Sequence, residues 1–382
     1  MNIKTAKRLN NFGEYVFSKL GKRVKEVELI SKRKVLNFGP GNPDYPPSDL
    51  YLDKFCELIK DKSAHLYPGF GANEEFSNAL INWYQKRFNV TLEKSQIFPL
   101  LGAKDGVSHL PQALLDEGDE VLVPDPGYPA FSDPALMVGA KVVYYNLTED
   151  KDFKISIDEI KEKISLKTKF MWVNFPSNPT GQVITISELE KIVEFATEHE
   201  ILIVYDNAYS EITFDGYVAP SILQVDEVKD VAVEIGSFSK TFSFAGFRIG
   251  WIVGNSKVIE ALAKVKSQMD SGLSAPLQKL GAFALNNPDE GWYEEMITSY
   301  KKRRDVIARK LRLLGLDPSL SKGSLYIWAK IPPSAKSSEE FCMQLLENKQ
   351  ILLTPGTAFG KNGERYIRVS ICINIDNIED YF

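Results

Sequence analysis

A chain of 382 residues is too long for one small domain and long enough for two, one of them large enough to bury a wide sheet. Its 44% hydrophobic and 25% charged residues are ordinary globular values and exclude a disordered or fibrous chain. Forty-six basic against 51 acidic residues leave a formal charge of -5, with both signs interspersed beyond a Lys-rich N-terminal arm, which argues against a nucleic-acid surface.

Residues 1–30 alternate basic and apolar positions, as in FSKLGKRVKEVELI, and predict an amphipathic helix that serves as a docking arm. The next segment, NFGPGNPDYPPSDL, has four prolines and two glycines in fourteen residues, which predicts a loop without regular structure. A helix is expected around LDKFCELIKD. From about residue 95 short apolar strands alternate with helices: QIFPLLGAK, EVLVPDPGYPAF, KVVYYNL, FMWVNFPSNPTG and ILIVYDNAY, with helices after the first two and SELEKIVEFATEHE before the last. That alternation predicts an α/β fold with a mainly parallel sheet and helices on both faces. Such sheets bind ligands at the carboxyl ends of their strands. Here LLGAK, VPDPGY, NFPSNPTG, VYDNAY and GSFSK close apolar runs with Gly, Pro, Asn, Asp or Ser, so five loops are expected to face one crevice. After residue 276 a long helical stretch, then SLYIWAKI, a helix around EEFCMQLLEN and RYIRVSICI predict a smaller α+β domain, completed by part of the N-terminal region. The expected division is 1–45 for the arm and part of the small domain, 46–275 for the large domain and 276–382 for the rest of the small one.

Cys56, Cys342 and Cys372 are widely separated and never form C-x-x-C, which disfavours a disulfide framework and a zinc site and fits a reducing compartment. No apolar run approaches the roughly 18 residues that cross a bilayer, and residues 1–20 lack the apolar core of a signal peptide. A cytoplasmic protein with no membrane partner is expected.

The densest chemical signal is GSFSKTFSFAGFRIGW, residues 236–251, where Ser237, Ser239, Lys240 and Arg248 stand among small residues. Hydroxyls and a guanidinium suit a dianionic phosphate, and a lysine between them is placed to react with a carbonyl on the same ligand. Phosphate plus aldehyde describes pyridoxal phosphate; the alternative is a solvated lysine in a Ser-rich turn. The strand ILIVY delivers Asp206 to its carboxyl end, where a carboxylate would keep a pyridine nitrogen protonated, unless it is a helix N-cap. Tyr209 and Asn178 can each donate to the ring's phenolic oxygen; read singly, one is a packing residue and the other an Asn-Pro turn. Gly102, Ala103 and Lys104 follow a strand at a helix start, where backbone amides can bind phosphate. Tyr128 in DPGYPAF can stack on the ring or simply pack.

Eight motifs occur in one order: G-N-P-D, Y-P-x-x-x-x-x-E, G-A-K, P-x-Y-P, N-P-T-G, Y-D-x-A-Y, S-x-S-K-x-x-x-x-x-G-x-R-x-G and Y-I-R-x-S. On them the sequence, from about residue 37 onward, resembles the class I and II aminotransferases of the aspartate aminotransferase fold. The resemblance implies a seven-stranded, mainly parallel sheet and pyridoxal 5'-phosphate as cofactor. It makes Lys240 the Schiff-base lysine and proton carrier, and Asp206 the pyridine-nitrogen partner. Asn178 and Tyr209 become the phenolic-oxygen donors, Asn178 also facing the substrate, with Tyr128 as the stacking ring. Ser237, Ser239, Arg248 and the amides of Ala103 and Lys104 would hold the phosphate. Arg368 in YIRVS would take the substrate α-carboxylate through two parallel hydrogen bonds; outside this context it reads as a surface ion pair. Tyr67 would reach the neighbouring subunit's phosphate, implying a homodimer with shared active sites. Gly41 would bring its backbone close to the substrate, and Tyr15 in the arm would close over it.

The implied reaction moves an amino group from an L-amino acid to a 2-oxo acid in two halves. The segments INWYQKRFNVTLEKSQIFPLLGAKDGV and EYVFSKLGKRVKEVE are most similar to the branch containing LL-diaminopimelate aminotransferases. Phe70 stands where plant-type enzymes of that branch carry a glutamate for the distal ammonium, and Gln268 where an asparagine is expected. A carbon–sulfur β-lyase on the same fold is the alternative; a cofactor-binding regulator would need a DNA-binding domain for which there is no spare length. GFGANE lacks the third glycine of a dinucleotide fingerprint, GTAFGKNG has the wrong spacing for a P-loop, and His65, His109 and His199 have no metal-ligand spacing. His109 is expected to be a packing residue.

Overall fold

The computed structural model describes residues 3–11, 16–226, 228–376 and 378–382. Tyr15 lies outside the described residues. The helix Val16–Ser31 lies against the helix Ser338–Lys349, where Val27 packs on Leu346 and Leu352 and Arg23 pairs with Glu347. The Pro-rich segment that follows begins with a two-residue strand, β1 (Leu36–Asn37), and otherwise runs without regular structure to the helix Asp49–Leu58. The Ser48 hydroxyl caps that helix by accepting from Leu50 N at 3.2 Å, a contact that contributes about 1 kcal/mol.

Seven strands build the large sheet: β2 (Ile97–Leu100), β3 (Glu120–Asp125), β4 (Lys141–Asn146), β5 (Thr168–Asn174), β6 (Leu202–Asp206), β7 (Ala232–Ser237) and β8 (Gly250–Gly254). They lie in the order β2-β8-β7-β6-β5-β3-β4. The pairs from β7 to β4 are parallel, whereas β8 runs antiparallel to both neighbours, so the α/β expectation of a mainly parallel sheet holds with one reversed strand. β2, β3, β7 and β8 are buried throughout, as sheets covered on both faces require, whereas β4 at the edge buries only Tyr145. Helices Glu74–Phe88, Ile186–Glu198 and Ala275–Asn286 pack on one face, while Ala103–Leu114 and Ser256–Lys266 pack on the other. The helix expected after DPGYPAF is only a turn, Pro129–Phe131, and five residues, Asp133–Met137. Pro129, Pro134 and Gly139 leave no room for more before β4 begins.

A second, four-stranded antiparallel sheet has the order β12-β13-β10-β9, from β9 (Asp317–Pro318), β10 (Tyr326–Lys330), β12 (Thr354–Pro355) and β13 (Tyr366–Ser370). The helices Glu290–Leu313 and Ser338–Lys349 cover it. β1 pairs in parallel with β11 (Ile351–Leu352), and Phe38 O accepts from Ser370 N at 2.9 Å, so the segment after β1 is tied to the end of β13. This brings residues 38–42 over the carboxyl ends of the large sheet. No helix among the described residues is long and apolar enough to cross a membrane.

Candidate active site

β5, β6 and β7 end side by side at Asn174, Asp206 and Ser237, and their loops surround a cavity of roughly 420 Å³, a volume suited to a cofactor-sized molecule. Asp206 is 7% exposed, and Ala208 N donates to its Oδ1 at 3.1 Å. Burial raises its carboxyl to about 6, offset by that N–H and by the charge of Lys240. Asn174 braces this floor: its Nδ2 donates to Asp206 O at 2.9 Å, while its Oδ1 accepts from Asn178 N at 2.9 Å. Asn178 and Asp206 are thus held by one side chain that no local motif singles out.

Lys240 sits on the one-turn helix Phe238–Thr241, which Ser237 caps by accepting from Ser239 N at 3.2 Å. Its Nζ donates to Gly41 O at 2.9 Å and lies 5.6 Å from the centre of the Tyr209 ring. Burial lowers the ammonium to about 8; the guanidinium groups of Arg248 and Arg368 act in the same direction, while Cys372 and Asp206 oppose it. A lysine with this pKa supplies neutral amine near neutral pH.

One end of the cavity is a cationic cradle. Arg248, at φ 58, donates from Nη1 to Ala245 O at 2.8 Å and reaches Ser239 Oγ at 3.5 Å. Gly102, at φ 80, precedes the helix Ala103–Leu114, and a Cβ there would overlap the Arg248 guanidinium. Only glycine therefore lets the helix N-terminus and the guanidinium close on one anion. Beneath the cradle, Asp105 accepts from Leu101 N at 2.9 Å and lies 2.7 Å from Lys266 Nζ. Burial would raise the Asp105 carboxyl, but hydrogen bonds from His109 and Lys266 bring it below its ordinary value. His109 is thus more than the packing residue expected: its Nδ1 lies 2.9 Å from Asp105, and that hydrogen bond raises its pKa.

At the opposite end Arg368 of β13 is 3% exposed. Its Nη1 donates to Asn178 Oδ1 at 2.9 Å and its Nη2 to Gly39 O at 2.6 Å, while the guanidinium lies 4.3 Å from the Tyr326 ring centre and 4.6 Å from that of Phe359. Tyr326 shares a 3.1 Å hydrogen bond with Tyr209, and a Cβ on Gly41 would overlap its hydroxyl. Tyr326 and Phe359 were not anticipated, because an aromatic in the apolar run SLYIWAKI or in the turn GTAFGK reads as core. Tyr128 and Lys104 line the cavity as well, Tyr128 resting edge-on against Phe131 at 5.6 Å.

Tyr67 is not brought in. It is 87% exposed, on a loop whose Gly69 carbonyl abuts Gly272, so the segments carrying Phe70 and Gln268 are neighbours outside the cavity.

The family model for aminotransferase class I and II matches residues 33–381. An LL-diaminopimelate aminotransferase from Halothermothrix orenii is 36% identical over 379 residues, covering 99% of this chain and 97% of that protein. The apo structure of BacF from Bacillus subtilis superposes with a TM-score of 0.92 at 32% identity, covering 100% of this chain and 97% of that one. Alanine aminotransferase from Pyrococcus furiosus gives 0.92 at 27% identity, covering 99% and 97%. The two relatives whose names state an activity are transaminases, which favours amino transfer over the carbon–sulfur lyase alternative. The chain belongs to the class I and II aminotransferases, pyridoxal-phosphate-dependent enzymes that move an amino group between an amino acid and a 2-oxo acid.

Proposed function

We propose that Lys240 holds pyridoxal phosphate covalently and carries the proton during transfer of an amino group from an L-amino acid to a 2-oxo acid. The observation that carries this reading is that the Lys240 amine, the buried Asp206 carboxylate and the Arg368 guanidinium line one cavity, with the amine brought to about 8. The residues suit the cofactor: a cationic cradle at a helix N-terminus for a phosphate, a buried carboxylate for a pyridinium, and a cavity of roughly 420 Å³ between them. When bound, pyridoxal phosphate supplies an aldehyde for attachment and a ring that accepts electrons from the substrate α-carbon. Asp206 keeps the ring nitrogen protonated. Asn178 and Tyr209 would hold the ring oxygen as donors, and Tyr128 would hold the ring. Ser237, Ser239, Arg248 and the amides of Ala103 and Lys104 hold the phosphate. Arg368 would bind the substrate α-carboxylate beside Gly41, which would orient the α-hydrogen toward the Lys240 amine.

Tyr67 acts in a second copy of the chain. Its exposure, with Leu66, Phe70 and Met269 also exposed, supports a homodimer in which each subunit completes the other's site. The division 1–45, 46–275 and 276–382 is supported by the presence of two main sheets, and a cytoplasmic location by the three free cysteines.

A narrower reading, LL-diaminopimelate as donor, is favoured by the Halothermothrix orenii relative and opposed by Phe70, which offers no carboxylate to a distal ammonium. The test is the absorption spectrum of the purified protein while amino acids are added singly without an acceptor. Loss of the visible band with one amino acid identifies the donor. A protein that shows no visible band after addition of pyridoxal phosphate, or a Lys240→Ala variant that keeps full turnover, overturns the assignment.

A further inference from the structure

Asp125, the last residue of β3, is 5% exposed and lies outside the set of residues that line the cavity. Its carboxylate is spent on the backbone of a loop from the smaller sheet: Oδ2 accepts from Lys361 N at 3.1 Å and Oδ1 from Asn362 N at 3.0 Å. The Asn362 amide returns the contact, donating to Asp125 O at 3.0 Å and to Asn146 Oδ1 at 2.8 Å. Gly127 N, two residues beyond Asp125, donates to Phe359 O at 2.8 Å. Gly360 takes φ 133, and a Cβ on it would overlap the Asp125 carboxylate, so the loop closes on the acid only because this residue has no side chain. Among the described residues no cation lies at hydrogen-bond distance of the carboxylate; backbone N–H groups meet both of its oxygens. Its partners therefore define one loop geometry rather than a general attraction.

That geometry fixes Phe359. The ring is 4% exposed, edge-on to Trp328 at 6.2 Å, and lies with its centre 4.6 Å from the Arg368 guanidinium. On the other side of the clamp, the backbone from Asp125 to Tyr128 carries the ring that faces the cavity. We infer that Asp125 is a positioning residue that orients Arg368 through Phe359, and so sets how tightly the enzyme holds the carboxylate of its amino acid without touching substrate or cofactor. The inference rests on the reading of Arg368 as the carboxylate-binding residue.

The experiment compares Asp125→Asn, Asn362→Ala and Arg368→Lys with the wild-type holoenzyme. For each, the KM of the donor amino acid, the kcat, the inhibition constant of propionate and the cofactor dissociation constant are measured. Asp125→Asn keeps the shape of the side chain but turns a donor toward a backbone N–H. The expected result is a roughly tenfold rise in both KM and the propionate constant, with kcat and cofactor affinity within about twofold of wild type. Asn362→Ala should move the same two constants in the same direction, and it decides the matter if Asp125→Asn does not fold. If Arg368→Lys raises both constants while the folded clamp variants leave them unchanged, the inference is wrong. A fall in cofactor affinity and kcat in step with the rise in KM also overturns it, since that reports general loosening. If Arg368→Lys itself leaves KM and the propionate constant unchanged, the reading of Arg368 fails and takes the clamp with it.

Discussion

The guanidinium of Arg368 donates to the side-chain oxygen of Asn178 at 2.9 Å, across 190 residues of sequence. It ties the proposed holder of the substrate carboxylate to the proposed donor for the cofactor ring oxygen. Removing either partner should therefore disturb both. Arg368→Ala is expected to lower kcat/KM by about 10²- to 10³-fold, in line with losing a buried charged hydrogen-bond donor, and Asn178→Ala by less. The double variant should fall short of the summed losses by about 1–2 kcal/mol in a thermodynamic cycle on kcat/KM.

Asp206 should show a trade between function and stability. Its carboxyl is raised to about 6 in the folded protein against an ordinary value of 3.8. The folded state therefore binds this proton more tightly than the unfolded one: stability is lost progressively as pH climbs from about 4 to 6, and the penalty is complete above it. Asp206→Asn removes the penalty. The cofactor-free variant is expected to be more stable than wild type at pH 7.5, by about 1–3 kcal/mol in urea titration, and no more stable at pH 4. Its turnover should drop at least ~100-fold, because a neutral amide does not keep the ring nitrogen protonated.

The proposed attachment of cofactor to Lys240 needs its neutral amine, which burial brings to about 8. In protein stripped of cofactor, the rate of recovery of the visible band on adding pyridoxal phosphate should rise about tenfold per pH unit below 8 and level off above it. A rate that keeps rising to pH 10 would show an ordinary lysine instead.

Lys266 and Asp105 form a buried pair beneath the phosphate cradle, with side chains 4% and 7% exposed. Lys266→Met leaves the carboxylate without its main cation and should cost about 3–5 kcal/mol of stability, together with faster loss of cofactor from the holoenzyme. Adding Asp105→Asn should recover part of the stability. In the wild type the Asp105 carboxyl lies below 3.8, so its stabilising contribution is present above that pH and is lost as pH falls through the lowered value.

The parts of the molecule that could be read in advance are those where chemistry and local pattern agree. Apolar runs ending in Gly, Asp, Asn or Ser marked the strand ends, and Lys240, Asp206, Asn178 and Arg248 do gather in one cavity there. Arg368 looked like a surface residue until its motif was placed in order, because nothing in YIRVS reveals that β13 turns it inward between two aromatic rings. Tyr326 and Phe359 escaped notice for the reverse reason: their roles depend on partners far away in sequence. Asp125 is not singled out by the run VPDPGY, since its partners, Lys361 and Asn362, belong to another sheet's loop. The reversal of β8 had no local signal either, because a strand buried on both faces looks the same in either direction.

The parallel pairing of β1 with β11 joins Leu36 to Ile351, so a contact near one edge of the site waits for more than three hundred residues of intervening chain. During synthesis the strands that end at Asp206 and Ser237, and the turn of helix that carries Lys240, emerge long before β13, and a sheet spanning residues 97–254 can gather while translation continues. Gly39 and Gly41 leave the ribosome earlier still, yet their partners Arg368 and Tyr326 come from the last stretch of the message. On the proposed roles, the residues that would grip the cofactor are thus synthesised before Arg368 and Tyr326, which complete the substrate end of the cavity.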